Sequence, residues 1–163
     1  MKAINTIILI TYNQETLIGR ALDSILCQKE FICEIIISDD CSTDKSWDVI
    51  RSYSEKYPGL IRPFRNSRNL GVLGNIESTW AEAKGHVIWH LAGDDEFCIG
   101  LFEKSNELID KKNIDLINEA FTIYFDFKII DPNGKTSIVR NNIIEQYNPL
   151  SLKMRELICN RIT

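Results

Sequence analysis

Apolar positions in this chain fall into short unbroken runs that alternate with helical stripes. ‘INTIILI’ (4–10) is almost continuously apolar and β-branched, the pattern of a strand covered on both faces. In ‘ETLIGRALDSILCQ’ (15–28), Leu17, Ile18, Ala21, Leu22, Ile25 and Leu26 recur at the spacing of one helix face. ‘EIIIS’ (34–38) repeats the strand pattern. The segment ‘DDCSTDKSWDVIRSYSEKY’ (39–57) then predicts a loop and a helix carrying Trp47, Ile50 and Tyr53 or Tyr57 inward. Ser42 or Thr43 is the expected cap, with Asp44 as the other candidate.

‘LIRPF’ (60–64) predicts a third strand near an edge, because Pro63 has no backbone donor. A helix is expected from Gly71 to Lys84, ended by Gly85, and ‘HVIWHL’ (86–91) is the fourth strand. Strand and helix alternate with short connections, so the fold class is α/β with a mostly parallel sheet and right-handed crossovers. Beyond a helix at 99–111 the pattern changes. ‘FTIYFDFKII’ (121–130), the turn signal ‘DPNG’ (131–134) and ‘KTSIV’ (135–139) predict an antiparallel hairpin appended to that sheet. The tail 141–163 is poorly patterned for a finished core element, although ‘PLSLKMRELI’ (149–158) could form one helix.

The 163 residues suffice for one domain with a sizeable core. Nineteen basic residues against 23 acidic, with no basic run, argue against a nucleic-acid partner. The five cysteines, at 27, 33, 41, 98 and 159, show no CxxC spacing and read as reduced thiols. The N-terminal apolar run is too short for a signal peptide or a membrane span.

Open α/β sheets bind ligands beyond the carboxyl ends of their strands. Three polar clusters are expected there: ‘TYNQE’ (11–15), ‘SDDCSTD’ (38–44) and ‘AGDDE’ (92–96). Asp94 and Asp95 are adjacent like charges, and burying both unpaired is costly. A hard divalent cation such as Mg²⁺ or Mn²⁺ relieves that cost and can bridge to a substrate diphosphate. The plain alternative is a helix cap. Asp39–Asp40 occupies a position where α/β folds commonly place a ribose-binding carboxylate, yet ‘TYNQET’ contains no glycine and no P-loop occurs. His86 and His90 share a strand face and read as packing or rim hydrogen-bonding residues; Trp89, Trp47 and Trp80 read as core.

The ordered segments ‘ILITYNQETLIGRALDSILCQ’, ‘EIIISDDCSTDKSWDVI’ and ‘NLGVLGNIESTWAEAKGHVIWHLAGDDEF’ resemble the N-terminal half of family 2 glycosyltransferases, which have the GT-A fold. The resemblance covers about residues 4–100 and extends weakly through ‘IIDPNG’. It implies that Ile10, Thr11, Tyr12 and Asn13 line the nucleotide base, and that Asp40 bonds the base or ribose. Asn69, Gly71 and Asn75 match the ‘NxGxxxN’ segment bordering the pocket, Asp94 lies near ribose and metal, and Asp95 is the direct Mn²⁺ or Mg²⁺ ligand.

The implied partners are a nucleotide-diphosphate sugar, chiefly a UDP-sugar, and a saccharide or glycoconjugate acceptor. The implied reaction inverts the anomeric centre in surface polysaccharide synthesis. The setting is the cytoplasm or the inner face of the membrane, with membrane association supplied by other regions. Ala92 stands where a fuller acidic motif has another Asp. No Glu-Asp pair occurs between Asn141 and Thr163, and Glu156 reads as plain helix. The general base is therefore expected beyond Thr163. The chain is expected to be one truncated domain, 1–100 binding the nucleotide sugar and 101–163 starting the acceptor side. A nucleotidyltransferase would need a Gly-rich basic loop after strand one. A phosphoacceptor module would need its acidic pair there. A non-catalytic binding or scaffold domain is the remaining alternative.

Overall fold

The computed structural model of the chain describes residues 3–117, 120–123, 127–130, 135–139 and 144–147. It divides into two compact units, Met1–Asn113 and Ile114–Thr163. The first is a parallel sheet of β1 (Asn5–Thr11), β2 (Ile32–Asp39), β3 (Ile61–Arg65) and β4 (Val87–Ala92) in the order β3-β2-β1-β4. Its helices are α1 (Ile18–Leu26), α2 (Ser46–Lys56), α3 (Gly71–Trp80) and α4 (Leu101–Lys112).

All seven residues of β1 are buried, as the unbroken apolar run predicts. Its alternate side chains feed two cores. Ile7 and Leu9 join Ile35, Ile37, α1, Ile50 and Phe102, whereas Ile8 and Ile10 join Ile36 and Ile76 of α3. This period-two division is what a sheet packed on both sides requires. Pro63 sits in β3, which lies at an edge of the sheet as expected.

The helix boundaries depart from the sequence reading. No side chain caps α2 at its N-cap, Lys45. Asp44 instead accepts the Ser46 N–H at 2.9 Å, while Ser42 and Thr43 bond across to Asn13. α3 stops at Trp80, short of Lys84, because the following backbone is claimed by β2: the Lys84 N–H donates to the Glu34 carboxylate at 2.5 Å. Gly85 is needed for close approach rather than as a helix stop. A Cβ there would lie 2.7 Å from both the Ile4 carbonyl oxygen and the Thr6 hydroxyl.

Trp89 packs edge-on against Phe97 and Phe102 in the core and donates its indole N–H to Asn5 at 2.8 Å. His86 precedes β4 and is exposed. His90 stacks on Trp80 with ring centroids 5.0 Å apart, so packing is its role. Neither of its ring nitrogens has a hydrogen-bond partner among the described residues, and burial pushes its pKa down to about 4.

In the second unit, β6 (Phe127–Ile130) pairs antiparallel with β7 (Thr136–Val139), the expected hairpin. It forms a two-stranded ladder. A further antiparallel pair, β5 (Ala120–Ile123) with β8 (Ile144–Tyr147), falls partly in the tail judged poorly patterned. The ‘DPNG’ turn, the helix at 149–158, Glu156 and Cys159 lie outside the described residues. Cys27, Cys33, Cys41 and Cys98 are free thiols. Among the described residues no helix is long and apolar enough to cross a membrane.

Two consequences are measurable. Gly85→Ala forces a methyl group into backbone and should destabilise the fold by about 2 kcal/mol in urea unfolding. His90 binds its proton more weakly folded than unfolded, so acidification from pH 6.5 towards 4 favours the unfolded chain. That loss should reach roughly 3 kcal/mol at pH 4, and His90→Phe, which keeps a stacked ring, should flatten the stability profile over this range.

Candidate nucleotide and metal site

The chain runs outward from β1 through β2 to β3, then returns to place β4 on the other side of β1. The order of strands reverses there, which opens a crevice beyond their carboxyl ends. The register sets Thr11 beside Asp39 and Ile10 beside Ala92. All three polar clusters therefore emerge side by side on one rim.

The first two clusters are fastened to each other. Asn13 N–H donates to the Ser42 hydroxyl (2.9 Å), and the Asn13 side-chain oxygen accepts the Thr43 N–H (2.7 Å). Gln14 N–H donates to the Ser46 hydroxyl at 2.7 Å. The Glu15 carboxylate accepts the Lys45 N–H, and the Glu15 N–H donates to Asp44. Burial alone would raise the Asp44 carboxyl, but hydrogen bonds from the Ser46 hydroxyl and N–H and from the Glu15 N–H outweigh it and hold it below the usual Asp value. Two loops that would fray separately satisfy each other's backbone donors.

Within this frame the expected nucleotide residues take different places. Ile10 is in the core, and its carbonyl accepts the Gly93 N–H at 2.9 Å. Thr11 is 3% exposed and donates its hydroxyl to Gln14. Asn13 is committed to the second loop. Tyr12, 45% exposed, is the member of the quartet whose ring faces solvent.

Asp40 is buried, and its carboxylate accepts Leu70 N–H (2.8 Å), Gly71 N–H (2.8 Å) and the Asn66 side-chain amide (2.9 Å). It thus binds the N-terminus of α3, where free N–H groups and the helix dipole favour negative charge. Asn69 accepts the Gly71 N–H at 3.0 Å. Asn75 is buried; its oxygen accepts from the Ser38 hydroxyl (2.5 Å) and from Asn66 (2.9 Å), and its amide donates to the Ser38 carbonyl (3.0 Å). Asn66, which sequence reasoning missed, spends its amide on both Asp40 and Asn75. Nothing in ‘RNSRN’ marks it apart from Asn69.

Asp39 is fully buried and paired with Arg65 at 3.1 Å; Arg65 also donates to the Ser42 carbonyl at 2.7 Å. The Arg65 guanidinium lies over the Trp47 ring, 5.4 Å from its centroid.

Asp94 and Asp95 differ from this first pair. Both are exposed, so the burial cost anticipated from sequence is borne only in part, by Asp95. Their mutual repulsion remains. The protein atoms packed around Asp95 and the Asp94 charge beside it raise the Asp95 carboxyl above the usual Asp value. Among the described residues neither forms an ion pair. Gly93, just before them, must lack a side chain: a Cβ would collide with Gln14 and lie 2.9 Å from the Thr11 hydroxyl.

Adjacent carboxylates short of positive charge fit a hard divalent cation by donor chemistry. Among the described residues there is no group of three or more metal-binding side chains, so protein donors alone do not saturate such an ion.

The sequence profile of Glycosyl transferase family 2 matches residues 6–158. The chain belongs to this family. Its fold is GT-A, shared with solved glycosyltransferases. The 1–349 segment of S. aureus TarS, in complex with UDP, superposes with a TM-score of 0.60 at 25% identity, covering 67% of this chain and 32% of that one. The mannosyltransferase PcManGT from Pyrobaculum calidifontis, in complex with GDP-Man and Mn²⁺, gives 0.53 at 23% identity, covering 58% and 28%. A Campylobacter jejuni protein named GalNAc(5)-diNAcBac-PP-undecaprenol beta-1,3-glucosyltransferase is 33% identical over 107 residues, 63% of this chain and 34% of that protein. The chain spans 26% to 52% of the length of curated relatives such as those from Mycobacterium bovis and Bacillus subtilis.

Asp40→Asn would set an amide group against backbone N–H donors. It should cost about 2 kcal/mol of stability, with faster amide exchange at Leu70 and Gly71 as the local signature.

Proposed function

We propose that this chain is the donor-binding part of an inverting glycosyltransferase. It would take a nucleotide-diphosphate sugar, chiefly a UDP-sugar, and serve transfer to a saccharide or glycoconjugate acceptor in surface polysaccharide assembly. The observation that carries the reading is the convergence of three polar loops at the strand-order reversal, with the unpaired Asp94–Asp95 at their edge. The UDP complex of TarS and the lipid-linked saccharide in the name of the C. jejuni relative support the two substrate classes.

The residues divide the work by position. Tyr12 offers the exposed ring against which a base can lie, while Ile10, Thr11 and Asn13 hold that loop from behind. Asp40 organises the 66–71 segment, and Oδ2, with one hydrogen bond, retains a lone pair for a base or ribose donor. Asn69 and Asn75 fix the start of α3. Asp95, with Asp94 beside it, would hold Mn²⁺ or Mg²⁺, the remaining positions falling to water and diphosphate oxygens. The chemistry such an ion supplies when bound is positive charge facing the departing diphosphate. The free thiols suit a reducing compartment, so we place the reaction in the cytoplasm or at the inner face of the membrane.

A folded domain that binds nothing would instead favour a scaffold role. Calorimetric titration with UDP decides between them. Binding should tighten at least tenfold on adding Mn²⁺, and Asp95→Ala should remove that gain while leaving the melting temperature close to the wild-type value. Absence of UDP binding by folded wild-type protein, with or without Mn²⁺, would refute the donor site.

A further inference from the structure

We infer that a polar row formed by Arg20 and Ser24 on α1 and Gln28 in the turn after it sets the conformation of the 93–100 loop and thereby the strength with which Asp94 and Asp95 hold a divalent cation. The inference rests on the reading of that acidic pair as a cation site. Ser24 and Gln28 are positioning residues, touching neither cation nor donor.

The three residues recur at four-residue intervals, so they lie in one row along the helix and its C-terminal turn. They meet consecutive parts of the loop in order. Arg20 pairs with Glu96, both side chains being largely exposed. Ser24 donates its hydroxyl to the Ala21 carbonyl at 2.7 Å and accepts the Phe97 N–H at 3.0 Å. Gln28, 2% exposed, donates to the Cys98 carbonyl (3.2 Å) and accepts the Gly100 N–H (2.8 Å).

The turn bearing the two aspartates is thereby pinned at both ends. On its strand side, Gly93 N–H donates to Ile10 and Asp95 N–H to Ala92. On its far side the nearest pin is Ser24, on Phe97. Between the pins stand Asp94, Asp95 and Glu96, three adjacent carboxylates that would move apart if the turn could open. Arg20 draws Glu96 sideways to α1, and the two aspartates are left as neighbours. A loop held in this arrangement spends less of the cation's binding energy on ordering itself.

The side-chain distribution argues against a purely packing role. The inner face of α1 is already filled by Ile18, Ala21, Leu22, Ile25 and Leu26. Burying a glutamine beside that face is unfavourable unless its amide is satisfied. Gln28 meets that condition through Cys98 and Gly100 of the loop before α4, its amide also reaching the Ser24 carbonyl at 3.3 Å.

The deciding quantity is the ratio of UDP affinities with and without Mn²⁺, which by linkage reports the cation's coupling to the donor. Ser24→Ala removes the acceptor for Phe97 N–H at a half-buried position; Ser24→Thr restores a hydroxyl. Loss of groups that orient metal ligands typically weakens a site tenfold or more. Ser24→Ala should therefore lower the ratio about tenfold, with metal-free UDP affinity unchanged, and Ser24→Thr should return it to within about twofold of wild type. A merely structural serine would lower the melting temperature or shift both affinities together. A wild-type ratio in folded Ser24→Ala overturns this inference alone. A ratio of one in the wild-type protein overturns the cation site and the inference with it.

Discussion

A strand buried on both faces can carry almost no polarity along its length, and β1 imposes that constraint on the molecule. Ile7 to Ile10 serve two opposed cores, so polar groups in β1 are confined to its ends. At the amino end Asn5 accepts the Trp89 N–H and donates to the Phe31 carbonyl, while Thr6 bonds Glu34 and Gly85. At the carboxyl end Thr11 bonds Gln14 and receives Asp40 N–H. Parallel pairing with β2 and β4 extends the rule across the sheet. Chemistry has two rims on which to settle.

The rims are built differently. At the amino rim, burial would raise the Glu34 carboxyl, but Arg62, Lys84 N–H and Thr6 together hold it below the usual Glu value. Arg62 reaches both Glu34 (2.9 Å) and Glu82 (2.8 Å). Around Glu34 donors and acceptors are matched, and the recess lined by Glu34, Arg62, Lys84 and His86 adjoins that network. A closed set of partners stabilises and has little left to offer a ligand. The carboxyl rim is matched only in part.

The sequence carried the sheet because continuous β-branched runs leave few alternatives, and it carried the three rim clusters because parallel strands end together. It did not carry what happens between those clusters. Ser42 and Thr43 looked like caps for α2, yet they bond Asn13, a partner far away in sequence. Asn66 and Gln28 look like ordinary polar loop residues until the chain folds around them. α3 stopped early for the same reason, since Glu34 competes for the Lys84 N–H. β8 was missed because ‘IEQY’ is a short alternation whose meaning depends on β5. Helix periodicity and strand runs are local signals; reciprocal hydrogen bonds between loops are tertiary ones.

The same dipeptide, Asp-Asp, occurs twice on the carboxyl rim and has two physical outcomes. In the first pair each carboxylate has its own counterpart: Arg65 for Asp39, and the N–H groups at the start of α3 for Asp40. Exchanging solvent for those partners lets both be buried next to each other. The second pair has no such partners among the described residues and stays exposed, and partial desolvation together with the neighbouring Asp94 charge raises the Asp95 carboxyl. Folding has therefore used the first pair to build the rim and left the second with an electrostatic demand unmet. A doubly charged ion meets that demand most directly, and a diphosphate arriving with it would balance the added positive charge. Position relative to α3 and Arg65, rather than residue type, separates the carboxylates buried in the rim from those exposed on it.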